Sequence, residues 1–333
     1  MSIDRMVGGL ALGACLLAAG CGGGARQGGG RRLSFSLPHV LNTDHPVHKA
    51  LEQFAAEVER RSGGTMVVKI HPGGTLGNEQ ELCDNVSNDT DAFTKISSTI
   101  LETKTDLARI YSLPYLFRDD AHMRKVLDGE IGRELLDMAL GQNLKGICYF
   151  DAGARSFYTK RRVASPDDLK GMKIRVQKSI TMQRVVEALG ASPQQIAFAE
   201  LYTALDTGVV DGAENNIPSY YTTRHYAPAP FFVLSEHVRI PDILLMSARR
   251  WNGLTPEQQR IILDSAAVAQ EYQRRLWEEK SAEYQAKMAA EGVTFTTLTG
   301  EQRARFAAAT RSLYDDLAGT RLMEYVERIR AVE

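Results

Sequence analysis

Leu33-Ser34-Phe35-Ser36-Leu37 alternates apolar and polar residues with the period of two that predicts a strand. Asp44-His45-Pro46 then opens a helix, with Pro46 in its first turn and Leu51, Phe54, Ala55 and Val58 on one face. Gly63-Gly64 stops that helix, and the β-branched run from Thr65 to Ile70 predicts the next strand. This β-α-β opening predicts an α/β fold, mostly parallel in its sheet and with right-handed crossovers. The rhythm continues with helices near 78–86, 121–127, 131–141, 180–189 and 200–207. Strands fall near 92–97, 146–150, 156–159, 173–176 and 210–215, and one near 242–247 could return to the first sheet.

The C-terminal part differs in kind. Thr255-Pro256-Glu257-Gln258 is a capping box, and no helix breaker follows until Gly292. That makes a helix of about 36 residues, roughly 54 Å, longer than one small domain is wide. Such a helix kinks or lies across two domains as a brace. A second box, Thr299-Gly300-Glu301-Gln302, predicts another long amphipathic helix bearing Phe306, Leu313, Leu317 and Leu322.

At the other end, Arg5 and an apolar run from Met6 to Leu17 are too short for a permanent membrane span and suit a signal peptide over 1–20. Ala18-Ala19-Gly20-Cys21 resembles the lipobox of bacterial lipoproteins, which implies lipidation of Cys21. Plain secretion with a spare cysteine is the alternative. The glycine-rich segment that follows, within 21–32, suits a tether reaching roughly 20 Å. Composition supports a secreted globular protein: 40 Lys+Arg against 41 Asp+Glu leave no cationic excess for binding nucleic acid, and 44% hydrophobic residues suffice for a core. Cys83 and Cys148 are read as small buried hydrophobes, and nothing in the sequence pairs them.

Signatures of catalysis are scarce. There is no nucleophile elbow, phosphate-cradling loop, Cys-x-x-Cys or His-Glu-x-x-His. His45 and His48 are expected at the surface of a helix start, and Gly73-Gly74-Thr75-Leu76-Gly77 is expected to be a turn. Two arginines stand out: Arg155 between strand-like segments, and Arg175 inside Met172-Lys173-Ile174-Arg175-Val176-Gln177. A guanidinium within a strand is costly unless paired. Either an internal acid pairs it, or its fork grips a ligand carboxylate bidentately.

Four stretches in order resemble the periplasmic solute receptors of tripartite ATP-independent (TRAP) transporters. They are Leu76-Gly77-Asn78-Glu79, Ser112-Leu113-Pro114-Tyr115-Leu116-Phe117-Arg118-Asp119, Leu169-Lys170-Gly171-Met172-Lys173-Ile174-Arg175-Val176, and Glu200–Leu205 leading into Gly208–Asn215. The resemblance spans about Leu33 to Tyr325. It implies a two-lobe periplasmic-binding-protein fold, each lobe a mixed sheet flanked by helices, with the long C-terminal helix as brace. The expected lobes are 33–152 plus 241–280 and 153–240 plus 281–333.

The same resemblance implies that Arg175 clamps a carboxylate, assisted by Arg155 and Asn215, with Phe198 packed over the ligand. His39, Glu79 and Lys95 are expected from the facing lobe, where Glu79 and Lys95 suit hydroxyls; for each, a surface salt bridge or cap is the alternative. Where the family has glycine, this chain has Ser87-Asn88-Asp89-Thr90-Asp91, and Asn88 is expected to take the left-handed backbone there. The stretches 211–220 and 236–242 are similar to receptors for glucuronate and galacturonate, so a hexuronate is the expected ligand and a C4-dicarboxylate the alternative. The implied partners are the small and large membrane subunits of the transporter, with no cofactor, no metal and a monomeric receptor. Two other classes stand beside this one: the binding protein of an ATP-driven importer, and a sugar-acid hydrolase using Glu79 and Glu214 as a carboxylate pair.

Overall fold

The computed structural model of the chain describes residues 32–333, so the expected signal peptide, Cys21 and nearly all of the tether lie outside the described residues. In chain order the first elements are β1 (Leu33–Pro38), α1 (Pro46–Arg61), β2 (Met66–His71), α2 (Glu79–Ser87) and β3 (Phe93–Ser97). After two 3-10 turns come α3 (Asp120–Asp128), α4 (Glu130–Leu136) and β4 (Leu144–Phe150). β1 and β2 pair in parallel, and β1 lies beside β3, where Thr94 Oγ1 donates to the Pro38 carbonyl at 2.9 Å. β3 and β4 instead pair antiparallel with β10 (Asp242–Ser247) in a three-stranded sheet of their own, so the pairing in this half is mixed rather than mostly parallel.

β10 is the late return strand, and all six of its residues are buried because helices cover both faces of its sheet. Leu244 and Met246 join Phe54, Phe93 and Phe150 in one core under α1. Ile243 and Leu245 join Ile96, Ile110 and Tyr149 in a second core on the opposite face. The period of two along one strand thus feeds two cores.

The other half begins with β5 (Ala154–Thr159) and β6 (Lys173–Val176), followed by α5 (Ile180–Ala188), β7 (Ser192–Gln195), α6 (Leu201–Asp206), β8 (Gly212–Asn215), α7 (Ile217–Thr222) and β9 (Phe231–Arg239). β11 (Thr294–Thr297) completes its six-stranded mixed sheet in the order β11-β9-β5-β8-β6-β7. Two short links, Asp151–Gly153 after β4 and Ile240-Pro241 before β10, carry the chain between the sheets. The register of β5 against β9 shifts between Arg155 and Phe157, and Glu236 takes φ 43° beside that shift.

After α8 (Ala248–Asn252), α9 (Pro256–Ala290) runs 35 residues from its Thr255 capping box, about 52 Å. Ile262, Ala266, Ala269 and Trp277 enter the core under α1, while Tyr284 and Met288 enter the core of the six-stranded sheet. One helix therefore serves both halves, which is what a brace does.

Three local expectations need correction. The helix after Thr299 is broken into α10 (Gly300–Ala309), α11 (Ser312–Asp315) and α12 (Arg321–Arg330), with Thr310 bonding back to the Phe306 and Ala307 carbonyls and Gly319 at φ 74°. α12 does not stay with residues 281–333 in the second half; Leu322, Tyr325, Val326 and Ile329 return to the core of Ile96 and Tyr149. In the 87–91 turn, Asp89 rather than Asn88 has positive φ (63°), because its carboxylate is held by Ser247 Oγ and Arg250 Nε, each at 2.8 Å.

Candidate functional site

Arg175 sits one residue from the carboxyl end of β6, and Gln177, two residues on, follows on the same side of the chain. Carboxyl ends of strands in open α/β sheets are where ligands bind. Arg175 is 3% exposed, yet among the described residues no carboxylate pairs with it. Its Nε donates to the Ile196 carbonyl at 2.8 Å, and its buried Nη1 has no protein partner. Burial pulls its proton affinity below the ordinary guanidinium value, because the nearest opposing charges are too remote to compensate. The ring of Phe198 lies 5.9 Å from Cζ, within cation–π range.

Arg155 is equally buried but fully matched. Nε and Nη2 grip Glu214 Oε2 and Oε1 at 2.5 and 2.9 Å, Nη2 also donates to the Glu214 carbonyl, and Nη1 donates to Asn215 Oδ1 at 2.9 Å. Burial works against the Arg155 charge, and Glu214 more than offsets it. Four of its five donors are engaged, so it buttresses Asn215 and presents one N–H at most. Glu214 itself is 0% exposed, which removes it from any pairing with Glu79 across a cleft.

Facing these residues is a buried ion triad. Lys95, central in β3, reaches Glu79 Oε1 at 3.2 Å and Asp242 Oδ2 at 3.1 Å. Asp242 opens β10 opposite Ser97, so it stands diagonally across the ladder from Lys95. Glu79 is the first residue of α2, where Asn78 and Glu81 form a capping box, and its Oε1 also accepts from Ser97 N. Burial alone would strip charge from Lys95, but Asp242 and then Glu79 outweigh it and hold the ammonium above its usual value. Burial pushes Asp242 up to about 6, with Lys95 pulling the other way.

Two cavities that share Glu79, Gln177 and Phe198 in their walls lie between the groups. The outer, about 340 Å³, is lined by Asn78, Glu79, Arg175, Gln177, Lys178 and Phe198 among others. That is the size of a small-ligand pocket. The inner, about 30 Å³, is walled by Glu79, Lys95, Arg155, Gln177, Asn215 and Asp242. Six of the expected residues, Arg175, Arg155, Asn215, Phe198, Glu79 and Lys95, therefore line these two adjoining cavities.

His39 does not. It is buried, its Nδ1 accepts from Leu41 N at 3.1 Å, and its Nε2 faces His48 Nδ1 at 3.0 Å. Burial and then Lys95 push it down to about 3, so it is neutral and structural. His45 and His48 are likewise buried rather than on the surface; His45 caps α1 and meets Ser219 Oγ.

Sequence reasoning passed over Gln177 and Asp242. The first had a signal in its spacing of two from Arg175; the second is an acid opening an otherwise apolar strand. Gln177 Oε1 accepts from Ser97 and Thr99 hydroxyls, joining the two sides of the cleft. Among the described residues no group of His, Cys, Asp or Glu could hold a metal ion, and no helix is long and apolar enough to cross a membrane.

Comparison with known proteins gives one consistent answer. The profile of the bacterial extracellular solute-binding protein family 7 matches residues 37–320. A TRAP periplasmic solute-binding protein from Xanthobacter autotrophicus Py2 with bound β-D-galacturonate is 36% identical, with a TM-score of 0.87 over 90% of this chain and 100% of that one. One from Pseudomonas putida F1 with bound D-glucuronate is 35% identical, with a TM-score of 0.85 over 90% and 98%. One from Sulfurospirillum deleyianum with bound succinate is 28% identical, with a TM-score of 0.86 over 91% and 99%.

Proposed function

Because the chain belongs to family 7 of the bacterial extracellular solute-binding proteins, we propose that it is the extracytoplasmic receptor of a TRAP transporter for a hexuronate such as galacturonate or glucuronate. The observation that carries this is the buried guanidinium of Arg175, which has no carboxylate partner among the described residues, at the wall of a small-ligand cavity. Its free fork suits one carboxylate. The carboxylate oxygens of Glu79 and Asp242 on the far wall suit the hydroxyls of a sugar. Asn215 joins from the inner wall and Phe198 covers the apolar face of the ring. The galacturonate and glucuronate complexes of similar receptors support the same choice.

The receptor hands its ligand to the transporter's membrane subunits and converts nothing. The hydrolase reading pairs Glu79 with Glu214, and Glu214 is locked to Arg155. In this reading the protein works as a monomer at the outer face of a membrane, anchored through Cys21. Replacing Cys21 by alanine should then release it from the membrane fraction.

Calorimetric titration against a panel of organic acids tests the ligand. Binding of galacturonate or glucuronate at micromolar affinity or better is expected. Tight succinate binding with none for uronates overturns the reading.

A further inference from the structure

The far wall of the cleft carries more information than a fit to hydroxyls. Lys95 answers two carboxylates, so the triad of Glu79, Lys95 and Asp242 has a net charge of -1, while Arg155 and Glu214 cancel. Within the triad, Glu79 Oε1 and Asp242 Oδ2 bond to Lys95. The other oxygens, Glu79 Oε2 and Asp242 Oδ1, take no hydrogen bond from the described residues and are not sealed from the cavities. A carboxylate oxygen only accepts, so these two can bond to a ligand hydroxyl and have nothing to offer a ligand carboxylate. Like charges in a cavity shielded from water repel far more than in bulk. Glu79 and Arg175 line the same outer cavity of about 340 Å³, so one small ligand can touch both walls.

We propose that the Glu79–Lys95–Asp242 triad is a specificity device that excludes a second carboxylate, restricting the site to sugar acids with one anionic end and rejecting aldarates and C4-dicarboxylates. This deepens the sugar-acid reading and rests on it for the identity of the ligand. Specificity here comes from a repulsive element as much as from attraction. Asp242 is a positioning residue as well, since it holds Lys95 against the ladder.

Two ligand pairs that differ only at the far end test it by calorimetry: galactonate against galactarate, and succinamate against succinate. The wild-type protein should bind the mono-anion of each pair at least about tenfold more tightly. In Glu79→Gln and Asp242→Asn, where an amide supplies a donor in place of a charge, that gap should close by about tenfold. The comparison on wild type needs no substitution, so a variant that folds poorly leaves the test intact. Equal affinities within each pair overturn the proposal, as does a gap unchanged in both variants. A protein that binds galacturonate yet ignores the far-end charge loses the discriminator alone. One that binds succinate and no sugar acid loses the ligand reading as well.

Discussion

Arg155 and Glu214 neutralise one another inside the six-stranded sheet, with Nε–Oε2 at 2.5 Å and Nη2–Oε1 at 2.9 Å and neither side chain more than 4% exposed. On the other side of β8, Arg175 is as deeply buried and has no carboxylate. The sheet completes one arginine internally and leaves the other without a carboxylate among the described residues.

Breaking the completed pair should be costly. Glu214→Gln leaves a buried guanidinium without its counter-charge, and a loss of about 3–5 kcal/mol in urea unfolding is expected. Replacing both partners with Arg155→Met and Glu214→Leu should recover most of that loss. An unchanged urea midpoint in the single variant would contradict the pairing.

Arg175 should behave in the opposite way. Arg175→Met removes an uncompensated buried charge, so the ligand-free protein should melt at a higher temperature while carboxylate binding is lost. Arg175→Lys keeps the charge without the fork, and affinity should fall about tenfold or more. Unchanged affinity in the lysine variant would mean that the carboxylate is held elsewhere.

Acid should unfold the protein by charging its buried histidines. Burial pushes His39, His225 and His237 down to about 3, with Lys95, Arg175 and Arg155 respectively adding to it. Each is depressed below the unfolded value near 6.5, so the stability it contributes is present above pH 6.5 and is lost as the pH falls toward 3. The slope is about 1.4 kcal/mol per pH unit for each histidine. Asp242, raised to about 6, acts with the opposite sign as its carboxyl stays protonated between about 4 and 6, and Asp151, also raised by burial, acts with it, but His45, held well below its usual value by burial, adds to the three histidines. Urea midpoints measured from pH 7 to pH 4 should fall steeply; a flat profile would show that these rings are not sealed.

Cys83 and Cys148 are both free and buried, and they lie in different cores. Burial pushes both thiols up to about 12. Reductant should leave the melting temperature unchanged, and iodoacetamide should label these positions only in denaturant. Labelling of the native protein would refute their burial.

Much of the fold was legible because its signals are local. The alternation at 33–37, the stop at Gly63-Gly64, the strand at 173–176 and the capping box at Thr255 each lie within a few residues of what they specify. β9 was not foreseen, since Pro228 and Pro230 precede it and the register break with Glu236 at positive φ interrupts its alternation. The break in the last helix was missed because Thr310 and Gly319 act through backbone bonding rather than through hydrophobic period. In the cleft, the arginines and Glu79 stood out by type and motif, while Asp242 and Gln177 gain meaning only beside Lys95 and Ser97.

By itself the order of residues determined most of the strands and helices before residue 230, the length of the bracing helix and the presence of two arginines where a sheet ends. Only the tertiary structure decided which arginine is free, because the acid that matches Arg155 lies 59 residues along the chain. It likewise decided that Lys95 meets Asp242, 147 residues away. Periodicity and capping act over a few residues, whereas charge is matched through space, so the fold had to form before the matched arginine and the open one could be told apart.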